Sequence, residues 1–405
     1  MKSVFFGKKK STLLLILTGL LLTGILMAIP TGYEDALIYR GSVRAVGRVT
    51  ETDNSTIITS GLIQSGEQYC KMIIENGKFK GQEIQGVNFL SGSLEQDKIY
   101  QPGDRAFVRI SCNGDEISSC VMSDHFRLDK ELILVAAFAV FLIVLAGKNG
   151  VLAVFSFVIT VLTIWKILIP SYLKGYSPVW CGIAVTAFLT LVIIFFVYGF
   201  DRRTVTAGLG ALLGITTTCI LGIIFTDLFK IHGAIMPDSE SLLYSGFQNL
   251  DLTAIFMSSI FVGASGAMMD LSVDITSAVY EVVQKKPGIS WKEAAASGMH
   301  VGRAAMGTMT TTLLLAYSGS CVTSLMVYMA QGTPMDHILN YKYVAAEVLD
   351  TIVGSFGLVT VAPFTALAAG IMLTGCRRKY ADIRYCTEDF EESEEEMPGE
   401  SEDFF

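Results

Sequence analysis

The sequence predicts a polytopic α-helical membrane protein with about eight transmembrane helices and a small β-rich extracytoplasmic domain, either OB-like or a sandwich. Three observations predict it. The 405 residues are 51% hydrophobic and only 17% charged, whereas soluble domains carry roughly 25% charged residues. Several apolar runs reach the roughly 17–25 residues that a hydrocarbon core of about 30 Å demands. Between the first run and the others lies a polar stretch of short alternating segments broken by turn dipeptides.

In chain order, the first run covers 13–29 and follows Lys8, Lys9 and Lys10. Met27-Ala28-Ile29-Pro30 lacks a small-x-small cleavage pattern, which favours an uncleaved anchor over a signal peptide. Further runs cover 131–146, 151–169, 179–200, 204–225, 252–278, 304–330 and 352–373. The expected organisation is an anchor at 1–30, an outer domain at 31–128, a seven-helix domain at 129–376 and an acidic tail at 377–405. Lys and Arg resist translocation and so fix the orientation. Lys8 to Lys10, Lys148, Arg202, Arg203, Lys285, Lys286, Lys292, Arg303 and Arg377 to Lys379 fall on one side, against only Lys174, Lys230 and Lys342 in the short loops opposite. Both termini are therefore expected in the cytoplasm and 31–128 outside.

The outer stretch alternates at 37–49, 69–75 and 106–111, with turns at Asn76-Gly77 and Pro102-Gly103-Asp104. It reads as a ligand-sensing or partner-binding lid, or as a structural cap. Cys112 and Cys120 flank Asn113-Gly114 and are a candidate disulfide, although the odd third outer cysteine, Cys70, argues against a dedicated framework. Cys181, Cys219 and Cys321 lie in spans, where cysteine packs as a small apolar residue.

Charge inside a bilayer is costly, so ionisable residues in spans are functional candidates. Asp270, Asp274, Ser277 and Glu281 fall at i, i+4, i+7 and i+11, one stripe of a helix. Three carboxylates on one face must hold a proton, a cation or a basic partner. The alternative is that 253–269 already crosses most of the core, which leaves Asp270 at the cytoplasmic interface and Glu281 in water. Glu347 and Asp350 stand one turn apart near the outer end of the last span, ahead of Pro363. Arg303 is either the cation for Asp270 and Asp274 or an ordinary positive-inside residue. Thr308 and Thr310, with Thr311 and Thr312, either meet a solute or bond back to their own helix. Gly210, Gly214, Gly263 and Gly266 are small residues that let helices approach closely.

Ser290-Trp291-Lys292-Glu293 is a capping box and predicts a short cytoplasmic helix through Ala294 to Ala296. Glu293-Ala294-Ala295 followed by Gly298 is a faint, misspaced likeness to the coupling loop of ATPase-driven permeases. There is no Walker A sequence, no His-Glu-x-x-His and no Gly-x-Ser-x-Gly, so no catalytic residues and no cofactor are expected, and a metal is left open. The ten carboxylates between 387 and 405, with no base among them, outweigh the net charge of −8 and leave the body slightly positive. Such a density of like charge predicts disorder in the tail. No basic stripe points to nucleic acid.

Met269-Asp270, Tyr280-Glu281, Gly302-Arg303, Met306-Gly307-Thr308-Met309-Thr310, Leu315-Ala316-Tyr317-Ser318-Gly319 and Glu347 followed by Val353-Gly354-Ser355-Phe356-Gly357-Leu358 resemble the YibE/F family of bacterial multi-pass membrane proteins. Asn76-Gly77-Lys78-Phe79-Lys80-Gly81 with Gly103-Asp104 is similar to the portion before the helices in its larger members. The resemblance covers about 35–375 and implies a bacterial plasma-membrane protein, not an activity. Asp270, Glu281, Arg303, Thr308, Thr310 and Glu347 fall on matching positions, while Asp274, Ala304, Thr311 and Asp350 depart from the pattern.

The leading expectation is a secondary permease or exporter of a small solute or ion, with proton or cation coupling through these carboxylates. A membrane scaffold or sensor with an envelope-facing domain is the alternative, and an ATPase-coupled permease subunit is the weaker one. Expected partners are the lipid bilayer, a second copy of the chain, and an envelope or cytoplasmic protein.

Overall fold

The helix α1 (Lys2–Ala28) is followed by six strands: β1 (Ser42–Asp53), β2 (Ile58–Ser60), β3 (Ile63–Ile74), β4 (Glu83–Ser91), β5 (Arg105–Asn113) and β6 (Glu116–His125). The computed structural model describes residues 2–33, 41–114 and 116–395, so the part of the expected first strand at 37–40 lies outside the described residues. β1 is long enough to pair twice. Its first half runs antiparallel to β5, with Val43 opposite Ile110, and its second half to β3, with Thr52 opposite Cys70. An irregularity between Val49 and Glu51 bends the strand as it pairs with β3. The order β1-β5-β6-β4-β3 then closes back on β1, with β2 added beside β3. Closure removes the sheet's edges and decides between the two expected architectures in favour of a small OB-like barrel.

Alternation fills this barrel. Ala106, Val108 and Ile110 of β5 point inward beside Val49, Met72, Ile74, Phe79 and Tyr100. Gly47 is required there, since a Cβ would stand 2.7 Å from the Met72 sulfur. The predicted turns form, with Gly77 at φ +76° and Gly103 at φ +99°, conformations that glycine adopts without strain. The Asn76 side chain accepts from the Val46 N–H at 2.8 Å and ties its turn to β1.

The expected Cys112–Cys120 disulfide is not present. The β5–β6 register places Cys120 opposite Ile110 and Cys112 opposite Ile117, and both thiols are free. Diagonal neighbours across a strand pair are about 7–8 Å apart, longer than a disulfide spans. Cys70 and Cys120 are buried in the barrel core, which raises their thiol pKa values to about 11 and about 12.

The helices that follow are α2 (Leu128–Ala146), α3 (Lys148–Thr163), α4 (Ile169–Leu173), α5 (Pro178–Tyr198), α6 (Arg202–Leu228), α7 (Ser239–Tyr244), α8 (Leu252–Lys285), α9 (Trp291–Ala330), α10 (Met335–Asn340) and α11 (Lys342–Glu395). The chain divides into one unit of residues 32–145, which takes in the barrel and α2, and another of residues 1–31 and 146–405. In the second unit α1 lies on α3, with Gly19 against the Phe155 ring.

Five segments of the described chain are long and apolar enough to cross a membrane: Lys148–Leu173, Pro178–Tyr198, Arg202–Leu228, Leu252–Lys285 and Lys342–Thr374. α9 is a sixth if its two parts, Trp291–Gly319 and Cys321–Ala330, bent by 64°, are one span. A run of Ser318, Gly319 and Ser320 at the bend is a usual cause of a kink. The eight expected spans therefore reduce to five or six on length and composition. The apolar part of α1 is short, and α2 opens on Asp129, Lys130 and Glu131.

Close helix packing follows the glycines. Cβ atoms on Gly210 and Gly214 of α6 would stand 2.0 Å from Thr365 and Val361 of α11. Ser272 of α8 donates to the Ala207 carbonyl at 2.6 Å and accepts from Thr365 at 3.1 Å, which pins α6, α8 and α11 at one level. The Ser290 capping box is present, but its helix does not stop after Ala296. It runs on as α9 because nothing between Ala296 and Gly319 breaks it. Likewise α11 continues to Glu395 where disorder was expected for 377–395, a stretch of good helix formers with no proline; 396–405 lie outside the described residues.

Candidate functional site

α8 buries most of its circumference against α5, α6, α9 and α11, with Phe261, Met268, Leu271, Ile275 and Val279 in the core. What it leaves uncovered is one stripe. Between Leu252 and Glu281 the exposed positions are Ser259, Gly263, Gly266, Asp270, Asp274 and Glu281, with Ser277 half-buried among them. Each is a serine, a glycine or a carboxylate. The Asp270/Asp274/Ser277/Glu281 alignment expected from spacing is therefore real, and it extends three positions toward the other end of the helix. A lipid-facing stripe reads differently: α5 exposes Trp180, Phe188, Leu191 and Val197.

At that other end Ser259 lines a cavity of about 710 Å³. Glu347 and Asp350 of α11 line it too, together with Asp238 and Glu240 near the start of α7, Ser324 of α9, and the rings of Phe256 and Tyr343. Four carboxylates share this space, and no Lys or Arg is among its lining residues. One Asp350 oxygen is buried without a hydrogen-bond partner, a costly state for a carboxylate. Among the described residues no three His, Cys, Asp or Glu side chains converge closely enough to hold a metal ion.

Tyr317 stands between the cavity and the lower stripe. A Cβ on Gly263 would lie 2.8 Å from its hydroxyl, and one on Gly354 would lie 3.9 Å from its ring. Glu347 and Asp350 are within electrostatic reach of the same hydroxyl. Glycine at 263 is thus what leaves the tyrosine its seat.

The lower stripe has a different neighbour from the one expected. Arg303 of α9 is exposed, and among the described residues neither it nor Asp270, Asp274 or Glu281 enters an ion pair. Another guanidinium at this end is Arg203, which lies 4.8 Å from the Tyr198 ring centre and 4.4 Å from that of Tyr280 and pairs with Asp201 at 2.7 Å. Tyr198 donates to the Val273 carbonyl at 2.6 Å and accepts from Ser277 at 2.6 Å, so Ser277 is engaged in packing. In the sequence Arg203 reads only as a positive-inside residue; the Tyr-Gly-Phe-Asp-Arg-Arg run at 198–203 is the available signal for its place beside the stripe's helix.

The threonines bond to their own helix. Thr308 donates to the Ala305 carbonyl at 2.9 Å, Thr310 to Met306 at 2.8 Å, Thr311 to Gly307 at 3.0 Å and Thr312 to Thr308 at 3.0 Å. Asp270 and Glu347 are far apart along the bundle. Met268 packs where a Cβ of Gly357 would be, and Gly357 follows Glu347 by ten residues, a helix rise of about 15 Å. The structure therefore groups the candidates in two, Glu347 with Asp350 at the cavity and Asp270, Asp274, Ser277 and Glu281 below, joined along α8 by Ser259, Gly263 and Gly266.

No curated protein and no solved structure matches the chain. Two family models do. The one described as YibE/F-like protein matches residues 134–375, and the one described as the YibE/F family N-terminal domain matches residues 38–123, which is the barrel. Together they cover most of the sequence, from the barrel through the acidic cavity and the α8 stripe, and the chain belongs to the YibE/F family.

Proposed function

We propose that this protein is a secondary permease or exporter of a small solute or ion, coupled to a proton or another cation, and that its path runs down the exposed stripe of α8. The observation that carries the reading is that stripe. It starts at the acidic cavity and continues through Gly263, Gly266, Asp270 and Asp274 to Glu281 without one large apolar side chain. Hydrocarbon cannot solvate such a surface, whereas water and a passing cation can. Among the described residues no three metal-ligating side chains converge, which supports a proton or a hydrated cation over a stripped metal ion.

In this reading the protein sits in a bacterial plasma membrane with eight crossings, α1 and α2 added to the five long spans and the bent α9. Both termini face the cytoplasm and the barrel faces outward. The Lys and Arg asymmetry of the short loops supports that orientation. The test is proton flux in proteoliposomes carrying a trapped pH dye under an imposed potential. Asp270→Asn and Asp350→Asn should each lower the flux at least about ten-fold, and unchanged flux in both would overturn the reading.

A second reading, an envelope-facing sensor or scaffold, draws on the barrel. Ile58, Leu62, Phe89 and Leu94 are well exposed on it, more apolar surface than a small domain needs to display. Crosslinking in native membranes should then return a partner that is lost when 31–128 is deleted.

A further inference from the structure

α9 packs against α8, and it too leaves polar positions exposed. Gly298 and Gly302 of α9 pack on Val279 and Ile275, so Arg303 stands at the level of Asp274, and Gly307, one turn on, at about that of Asp270. All four are exposed, and no ion pair forms between them within the chain. A Cβ on Gly266 or on Gly307 would meet nothing within 4 Å. Two packed helices thus carry at matching levels an acidic row, an exposed guanidinium and open glycines, groups that lipid does not solvate.

We infer that this face is the contact with a second copy of the chain, in which Arg303 of each protomer pairs with the Asp274 and Asp270 row of the other. The charge pattern is self-complementary, as a two-fold interface requires, because the same two packed helices carry both the acids and the base, exposed at one level. The depth fits too. Two copies inserted in the same direction are related by an axis along the membrane normal, which preserves level, and Arg303 and Asp274 share a level. The glycines at 266 and 307 let the facing helices approach closely, so that the paired charges leave the lipid. The dimer closes the stripe on its open side without covering it from within the chain, and it holds whether or not the stripe conducts.

The experiment is co-purification of two differently tagged full-length copies from one membrane, solubilised in mild detergent. The wild type should co-purify. Asp274→Arg and Arg303→Asp, each alone, should lower recovery of the second tag at least about ten-fold, and the two together in one chain should restore it. Gly266→Phe, whose side chain enters space that is open in the single chain, should lower recovery without disturbing the fold. Absence of a wild-type pair, failure of the double reversal to restore it when all variants elute as folded protein, or full recovery with Gly266→Phe would each overturn the proposal.

Discussion

The barrel and the helical unit treat amides and carboxylates differently. Inside the barrel Gln68 and Asn88 are fully buried and every arm of Gln68 is used, while among the described residues the nearby Tyr100 hydroxyl has no hydrogen-bond partner. Gln68 donates to Asn54 at 2.8 Å and to the Tyr100 carbonyl at 2.9 Å, and it accepts from the Tyr100 N–H at 3.0 Å and from Asn88 at 3.2 Å. Glu75 likewise pairs with Arg48 at 2.8 Å and with Arg105 at 2.7 Å. On α8 and α11, by contrast, Asp270, Asp274, Glu281 and the buried oxygen of Asp350 have no cation or donor among the described residues. Satisfied polar groups specify a shape. Unsatisfied carboxylates in a span carry a cost, and that cost supports the proposal that the molecule acts on something else there.

The contrast can be broken by substitutions that separate stability from activity. The largest loss of stability is expected at Gln68→Leu, which strands the Tyr100 N–H and the Asn88 amide in an apolar interior. It should cost about 2–3 kcal/mol, read as lost hydrogen-exchange protection across β3 and β4 in the intact protein. Retained protection would place the barrel's stability elsewhere.

Next comes Glu75. Burial pushes its carboxyl up, but the hydrogen bonds from Arg48 and Arg105 outweigh this and hold it below the ordinary value of 4.5. The folded barrel therefore resists protonation more than the unfolded chain does. The stabilisation is complete at neutral pH and is lost as pH falls below about 4.5 through the folded value. With Arg48 about half exposed, Glu75→Gln should cost no more than about 1 kcal/mol. It should also flatten the acid limb of barrel protection, and a limb unchanged in the variant would exclude Glu75 as its source.

The smallest effect on stability is expected at Asp270→Asn, which removes an exposed, unpaired charge. Thermal stability should stay within about 0.5 kcal/mol while proton flux falls. Parallel loss of both would make Asp270 a structural residue and erase the distinction between the two units.

Much of this was legible in the chain. The barrel's turns announced themselves at Asn76-Gly77 and Pro102-Gly103 because glycine there serves a local need. Closure of β1 on β3 did not, since it joins residues distant in sequence. The lower stripe was legible because four polar residues repeat at helical spacing in an apolar run. Its extension through Gly263 and Gly266 was silent, because a glycine bears no mark of what faces it. Asp238 and Glu240 sit in a connecting segment, where carboxylates are ordinary, and only the fold brings them beside Glu347 and Asp350. α1 and α2 show the limit in the other direction: both are apolar, but neither meets the length and composition that the five long spans meet.

Tyr317 hangs from α9 two residues before Gly319, where the helix turns by 64°, and its hydroxyl rests over Gly263. In mechanical terms the ring is the short arm of a crank. The long arm is Cys321–Ala330, about 15 Å of helix at 1.5 Å per residue. That arm contributes Cys321 and Ser324 to the cavity wall, while the ring sits on the other side of the bend. A single joint thus stands between the wall of the chamber and the aromatic ring that rests over Gly263.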